Sequence, residues 1–421
     1  LWTQMKDTGL LAMMLPEAYG GIGLDMLDRA VIYHEFGRAL APGPHFASSV
    51  MGALAIEKGG SQAQKDALLT AIGQGGLIVA PAWLEPDHGF GPQGVQLRAE
   101  ASADGYRLDG VKRHVFHARA AQKLIVLART GEAPDAIDLL LVDTDAPGVT
   151  LEQQLSMASD TQYKVRFDGV RVPVANRLGA PQSGWATWEA CMYEGIILLA
   201  AQAVGGAERA LEITVEYSKG REQFDKPIGS FQALAHYMAD AVAVIEGAAT
   251  LVLEAAWAHT RGKSIARLAP MAKLFACNAF RDVTAKCEQI HGGYGFTLEY
   301  DAARKIAQGL GVNLEQCQSL VEVKGDKARM LPVKERAESL FGKSGAATAS
   351  QSGGKAAKKK AKQKSLFEEM VAEEPATNSA TWGDLQGPSA GSTVLDRVHQ
   401  SMILFAAGRG ELLKRFLVED G

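Results

Sequence analysis

Several familiar signatures are missing from this 421-residue sequence. It has no Walker A motif and no H-E-x-x-H. That removes the usual sequence support for P-loop chemistry and for a zinc hydrolase. Cysteine is scarce: there are Cys191, Cys277, Cys287 and Cys317, and no two form a C-x-x-C pair. Buried, reduced thiols are expected, and with them a cytoplasmic setting and no metal site. The formal net charge is only −4, too little to draw the chain to nucleic acid or an anionic membrane. The longest apolar run, GIILLAAQAVGGA at 195–207, is shorter than the ~20 residues that span a bilayer. No signal peptide is expected; Leu1 already sits in a helical pattern, which suggests that the true start lies upstream.

What is present divides the chain by texture, and its length calls for two or more domains. Residues 1–78 read as helical. LDMLDRAVIYHEFGRALA places Leu27, Val31, Phe36 and Leu40 at roughly helical spacing, and Gly20, Gly21 and Gly23 break the chain between helices. From 79 to 182, short β-prone runs punctuated by Gly, Pro and Asp predict a small barrel or sandwich. Asp104-Gly105 supplies a hairpin turn in ADGYRLDG. From 183 to 301 helices return. Leu234, Met238, Ala241, Ile245, Ala248, Val252 and Ala255 alternate spacings of four and three, as along a bundle seam. Ala276, Phe280, Val283, Cys287 and Ile290 repeat that pattern. The fold class expected is α+β: an N-terminal helical domain, a central β-barrel domain and a C-terminal helical bundle.

Three clusters could carry chemistry. In SKGREQFDKPIGSFQALAHYMAD, at 218–240, Arg221 is a permanent cation able to hold a phosphate bidentately. Gln223 adds an amide, Phe224 a flat apolar face, and Gln232 opens the next helix. This suits an anionic, partly aromatic ligand such as a dinucleotide; the plain alternative is a helix–helix turn with a surface arginine. In EQIHGGYGF, Gly292 and Gly293 follow a helix, where glycine permits positive φ and close backbone approach to a ligand. The plain alternative is an ordinary helix C-cap. The third cluster, PEAYGGIG at 16–23, is a glycine-rich loop that says little alone.

In this order around a β-domain, these clusters resemble the acyl-CoA dehydrogenase family. LPEAYGGIGLD, LEP at 84–86, VRFDGVRVP at 165–173, REQFDKPIGSFQALAHYMAD and QIHGGYGFTLEYD carry the resemblance, from residue 1 to about 301. It implies a flavoprotein that oxidises an acyl-CoA thioester to its trans-2-enoyl product. A carboxylate takes the α-proton, hydride leaves the β-carbon for flavin N5, and an electron-transfer partner reoxidises the FAD. It implies that Arg221, Gln223, Phe224, Gln232, Gln289, Gly292 and Gly293 touch the FAD of a neighbouring subunit. A homodimer or homotetramer follows, with a hetero-oligomer also open. It places Trp83, Glu85, His114, Val115 and Phe116 along the flavin. Here the sequence departs from the family, with WLEPDHGFGPQG lacking a Gly-Ser-Asp, and His114-Val115-Phe116 standing where Trp-Ile-Thr or Ser is common. Glu194 is the candidate base, one residue from the helix position some members use; Glu299, Asp301 and the less well matched Glu315 are alternatives. A non-catalytic protein that binds FAD or pairs with another subunit is the competing reading.

Beyond 301 the character changes. Residues 302–343 look foreign to the family, 344–388 read as a Ser/Gly/Ala/Lys linker, and 389–421 as short amphipathic helices. The lysine run at 355–364 reads as a solvated tether rather than a nucleic-acid site. LVEVKGDKARMLPVKERAESLFGK and TVLDRVHQSMILFAAGRGELLKRFLVE are loosely similar to the C-terminal part of adenine-specific DNA methylases, but a D-P-P-Y-type motif is absent. A chimera is expected: a dehydrogenase with an incomplete bundle joined near Asp301 to an unrelated tail.

Overall fold

The structure is a computed structural model that describes residues 1–296, apart from 87, 103 and 155–160, together with the strand residues 321–324 and 327–330. The chain opens with helices α1 (Trp2–Asp7), α2 (Met26–Ala39), α3 (Ala53–Gly59) and α4 (Gln62–Gly73). Both α2 and α4 begin on capping boxes, Asp25 with Asp28 and Ser61 with Gln64, which satisfy backbone N–H groups left over at a helix start. A π-helical stretch, Phe46–Gly52, leads into α3.

The middle region contributes strands β1 (Val79–Ala82), β2 (Arg98–Ser102), β3 (Gly105–Phe116), β4 (Lys123–Arg129), β5 (Ile137–Asp143), β6 (Val149–Gln154), β7 (Gln162–Pro173) and β8 (Arg177–Leu178). They form one sheet in the order β6-β7-β3-β2-β4-β5-β8, with β1 pairing in parallel with β4. The expected hairpin is there, Ser102 facing Gly105. A closed barrel is not shown among the described residues: β6 and β8 end the hydrogen-bonded path without pairing with each other, and a single bridge, Arg98 with Arg129, joins β2 to β4. Short alternating strands do not report whether a sheet closes. Its core packs Leu108, Val115, Leu124, Val126, Tyr163 and Phe167 together.

Three long helices follow: α5 (Gly184–Gly220), α6 (Gln232–Thr260) and α7 (Leu268–His291). The seams expected on α6 and α7 are the buried ones; Ala241, Ile245, Ala248, Val252 and Ala255 face inward, as do Ala276, Val283, Cys287 and Ile290. By length and composition α5 and α6 are also apolar enough to cross a membrane, although the sequence run had appeared too short. Their most apolar windows are 67% and 56% buried inside the bundle.

The face expected on α2 needs correction. Met26, Ala30, Tyr33 and Gly37 are buried, whereas Val31 is 57% exposed. The reason is a close helix crossing. A Cβ on Gly37 would lie 1.9 Å from the Gln202 carbonyl oxygen, and one on Gly205 would lie 1.9 Å from that of His34. Small residues, not large apolar ones, mark this contact, and salt bridges from Arg38 to Glu208 and Glu212 flank it.

Residues 318–421 cluster as a separate unit. Within it, Val321–Lys324 pairs antiparallel with Lys327–Met330, a hairpin not anticipated. Its signal was legible in the alternation VEVK and in Gly325-Asp326, a pair suited to two-residue turns. The expected linker and expected terminal helices, with Cys317 and the alternative bases Glu299, Asp301 and Glu315, lie outside the described residues.

Candidate functional site

The predicted residues gather in two groups, and Glu194 stands apart from both. The first group surrounds the end of the bundle where α5 stops, α6 starts and α7 stops. After α5, Glu222–Gln223 and Lys226–Pro227 pair as a small hairpin. At its tip Phe224 and Asp225 both take positive φ, 55° and 64°. Left-handed backbone at two central residues is the two-residue turn that matches strand twist. It is normally built from Asn and Gly, because a bulky side chain there is strained. Phe224 is nevertheless 85% exposed, with an edge contact to Phe231 at 6.2 Å.

Arg221, Gln223, Gln232 and Gln289 are also exposed. Arg221 lies over the Tyr294 ring at 5.9 Å, and Tyr217 stacks on His291 at 4.4 Å. These contacts bring the end of α5 against the turn after α7. Burial lowers the His291 pKa despite its hydrogen bond to the Cys287 carbonyl, which favours the neutral form of the ring. Of the paired glycines, Gly292 takes positive φ, 61°, at the end of α7. A groove of about 1140 Å³ runs from this end between α5 and α6, lined by Tyr217, Arg221, Tyr294, Val215, Val242 and Ile245. Tyr217 and Tyr294 were missed by sequence reasoning; aromatics scattered over two helix ends leave no local signal.

The second group lies on the sheet. Strand β3 slips register against β7 between Lys112 and Val115, and His114 adopts φ 53° at the slip. His114 and Phe116 are exposed while Val115 is fully buried, so Val115 can meet a ligand only through its backbone. His114 Nδ1 lies 2.7 Å from Gln162 Oε1, within hydrogen-bond distance. Trp83 is half-buried and packs on Trp188 of α5 at 5.8 Å and on Phe90 at 6.3 Å.

Glu85 reaches this region but turns its carboxylate inward, its side chain 5% exposed. It accepts hydrogen bonds from the backbone N–H groups of Gln96 and Leu97 at 3.0 and 2.9 Å, and it pairs with Lys112 Nζ at 2.6 Å. Lys112 is fully buried, and burial pushes its pKa down to about 8 against the opposing pull of Glu85. Arg129, also buried, donates to the carbonyls of Val95, Ala133 and Pro92. Two buried cations thus hold the connection from 83 to 97. Neither was anticipated, since a charged residue at an inward strand position looks like an exposed one until its partner is known.

Glu194 sits on α5, 7% exposed. Lys58 Nζ of α3 is 2.7 Å from its carboxylate and His259 Nε2 of α6 is 3.4 Å away. Burial pushes its pKa up, but hydrogen bonds from His259 and Lys58 outweigh that and hold it below the usual carboxylate range. The carboxylate is ionised at neutral pH and braces the N-terminal helices to the bundle. Burial raises the Cys191 and Cys287 thiols to about 12 and about 11, so both are poor nucleophiles. Among the described residues no cluster of His, Cys, Asp and Glu is placed to hold a metal.

Comparison with known proteins covers three successive segments. Family models for the acyl-CoA dehydrogenase N-terminal, middle and C-terminal domains match residues 1–76, 80–170 and 182–310. The last runs beyond the boundary near 301 that the motifs suggested. The chain is 33% identical over 330 residues to the probable acyl-CoA dehydrogenase YngJ of Bacillus subtilis, covering 76% of this chain and 87% of that protein. Among solved structures it resembles butyryl-CoA dehydrogenase from Megasphaera elsdenii, with 30% identity and a TM-score of 0.69 over 75% of this chain and 87% of that one. A chain from the structure of an electron transferring flavoprotein of Acidaminococcus fermentans matches with the same identity, score and coverage.

Proposed function

Because this chain belongs to the acyl-CoA dehydrogenase family, we propose how its two groups of residues serve the FAD-dependent dehydrogenation of an acyl-CoA thioester. FAD is the cofactor of this family, and the residues present fit it. Arg221 offers a cation to a phosphate; Gln223, Gln232 and Gln289 offer amides; Gly292 offers an unobstructed backbone, since a Cβ there would meet nothing within 4 Å. The observation that carries this reading is Phe224, a bulky side chain held in strained left-handed backbone yet 85% exposed. Strain of this kind persists where function uses it, and an apolar face this open gains from a partner.

The same observation supports assembly. One copy presents the bundle end, another the sheet surface of His114 and Phe116, and a homodimer or dimer of dimers brings them together around one cofactor. Bound flavin supplies the acceptor for the β-hydride. This chain's residues orient it, keep water from the sheet side and manage the α-proton. An electron-transfer flavoprotein is the proposed acceptor for the electrons.

Glu194 is the proposed base, and its environment sets a condition. To take the α-proton it must exchange Lys58 for the substrate. That pairing favours the competing reading, a protein that holds FAD or a second subunit without turnover. The visible spectrum of the purified protein tests both. A flavin spectrum bleached by an acyl-CoA supports dehydrogenation; a flavin spectrum that does not bleach with acyl-CoAs of short, long or branched chain supports the non-catalytic reading. A colourless, well-folded protein refutes the FAD assignment.

A further inference from the structure

The two segments placed along the flavin by family resemblance, 83–85 and 114–116, meet at one buried ion pair. Lys112 Nζ donates to Glu85 Oε1 at 2.6 Å and to the Trp83 carbonyl at 3.3 Å. The next residue along β3, Arg113, donates its backbone N–H to the Leu84 carbonyl at 2.8 Å. The Glu85 carboxylate gathers the N–H groups of Gln96 and Leu97 from the far side of the connection. One residue further along β3 the chain enters the left-handed bulge at His114. Among the described residues, the hydrogen bonds that join 83–85 to β3 therefore involve Lys112 or Arg113 beside it.

Stability alone does not account for this pair. Lys112 is 0% exposed, and taking an ammonium out of water costs several kcal/mol that the partner only partly returns. An apolar pair of equal volume is commonly as stable or more so. What an apolar pair lacks is direction. A carboxylate receiving three donors, and an ammonium shared between a carboxylate and a carbonyl, fix one register for the connection and the strand.

We infer that Glu85 and Lys112 are positioning residues for the cofactor: their buried pair fixes the segment carrying Trp83 against the bulge carrying His114 and Phe116, and so sets the surface on which the flavin lies. This rests on the FAD-dependent reading given above. Neither side chain touches the flavin; both act through the backbone they hold.

The test compares the parent protein with the double variant Glu85→Gln/Lys112→Met, which removes both charges and keeps the volumes. The expected result is a melting temperature within a few degrees of the parent, with FAD held about tenfold more weakly, a change of about 1.4 kcal/mol. The visible flavin band shifts, and kcat falls while KM for the acyl-CoA stays near the parent value. A merely structural pair would move the melting temperature and leave the flavin spectrum alone. Unchanged FAD affinity and spectrum in a folded double variant overturn the inference and leave the FAD reading intact. A parent protein that binds no FAD overturns both. Should the double variant not fold, Lys112→Met alone, which leaves the Glu85 carboxylate its two backbone N–H donors, is read the same way, with about threefold weaker binding expected and an unchanged flavin spectrum and affinity refuting the inference.

Discussion

Replacing Phe224 with glycine should separate strain from function. In the isolated chain three terms compete. A non-glycine residue in left-handed backbone costs about 1–2 kcal/mol, which glycine removes. Glycine returns about 0.5–1 kcal/mol through the freedom of the unfolded chain, and the edge contact with Phe231 is lost, about 0.5–1.5 kcal/mol. The net change is close to zero, so thermal unfolding of the FAD-free protein should hardly move. Binding is different. Full burial of a phenylalanine gives about 1.5–3 kcal/mol, and since 85% of Phe224 is exposed, nearly all of that awaits a partner. FAD affinity, or association of the copies that share it, should fall about 10- to 70-fold. Fluorescence titration with FAD and sedimentation of the protein read the two effects separately. A variant that binds FAD and associates like the parent refutes the role given to this tip.

Other outcomes follow from the same geometry. Glu194→Gln should abolish turnover while FAD is retained and should lower stability by about 1–3 kcal/mol through loss of the charged acceptor for Lys58; full turnover would leave Glu194 as a brace and nothing more. Gly205→Ala should destabilise by about 3 kcal/mol or more, because the new Cβ meets the His34 carbonyl at 1.9 Å and backbone cannot step aside; a melting temperature equal to the parent's refutes that crossing. Burial raises the pKa of half-buried Glu288 to about 7. The native state therefore binds more protons than the unfolded state between the ordinary glutamate value and 7. Stability should decline as pH rises across that interval, and Glu288→Gln should flatten the decline in melting scans from pH 5 to 8.

The helix–sheet–helix order and the seams of α6 and α7 were legible because their periodicity is local and made of large residues. The face of α2 was not. Its closest approach to α5 is at Gly37, which a search for large apolar residues passes over in favour of Val31. Sheet closure was illegible for a different reason: it depends on whether the last strand meets the first, a long-range fact. The same limit hid the pairs at the site. Glu194 was singled out from the sequence, but Lys58 and His259 are far from it along the chain, and neither sits in a motif. Glu85 was expected at the flavin, yet its charge is spent on Lys112. The glycine after α7 was read correctly for φ at Gly292, because a backbone requirement is imposed on the residue itself.

The crossing of α2 over α5 has a consequence for how the protein breathes. With backbone against backbone at Gly37 and Gly205, no side chain lies between the helices to act as a bearing. The N-terminal helices cannot slide or tilt on the bundle without losing the contact altogether. The two should then open as one cooperative unit, their central amides exchanging hydrogen with deuterium at matched rates. Slower adjustments must come from elsewhere, from the edges of the sheet.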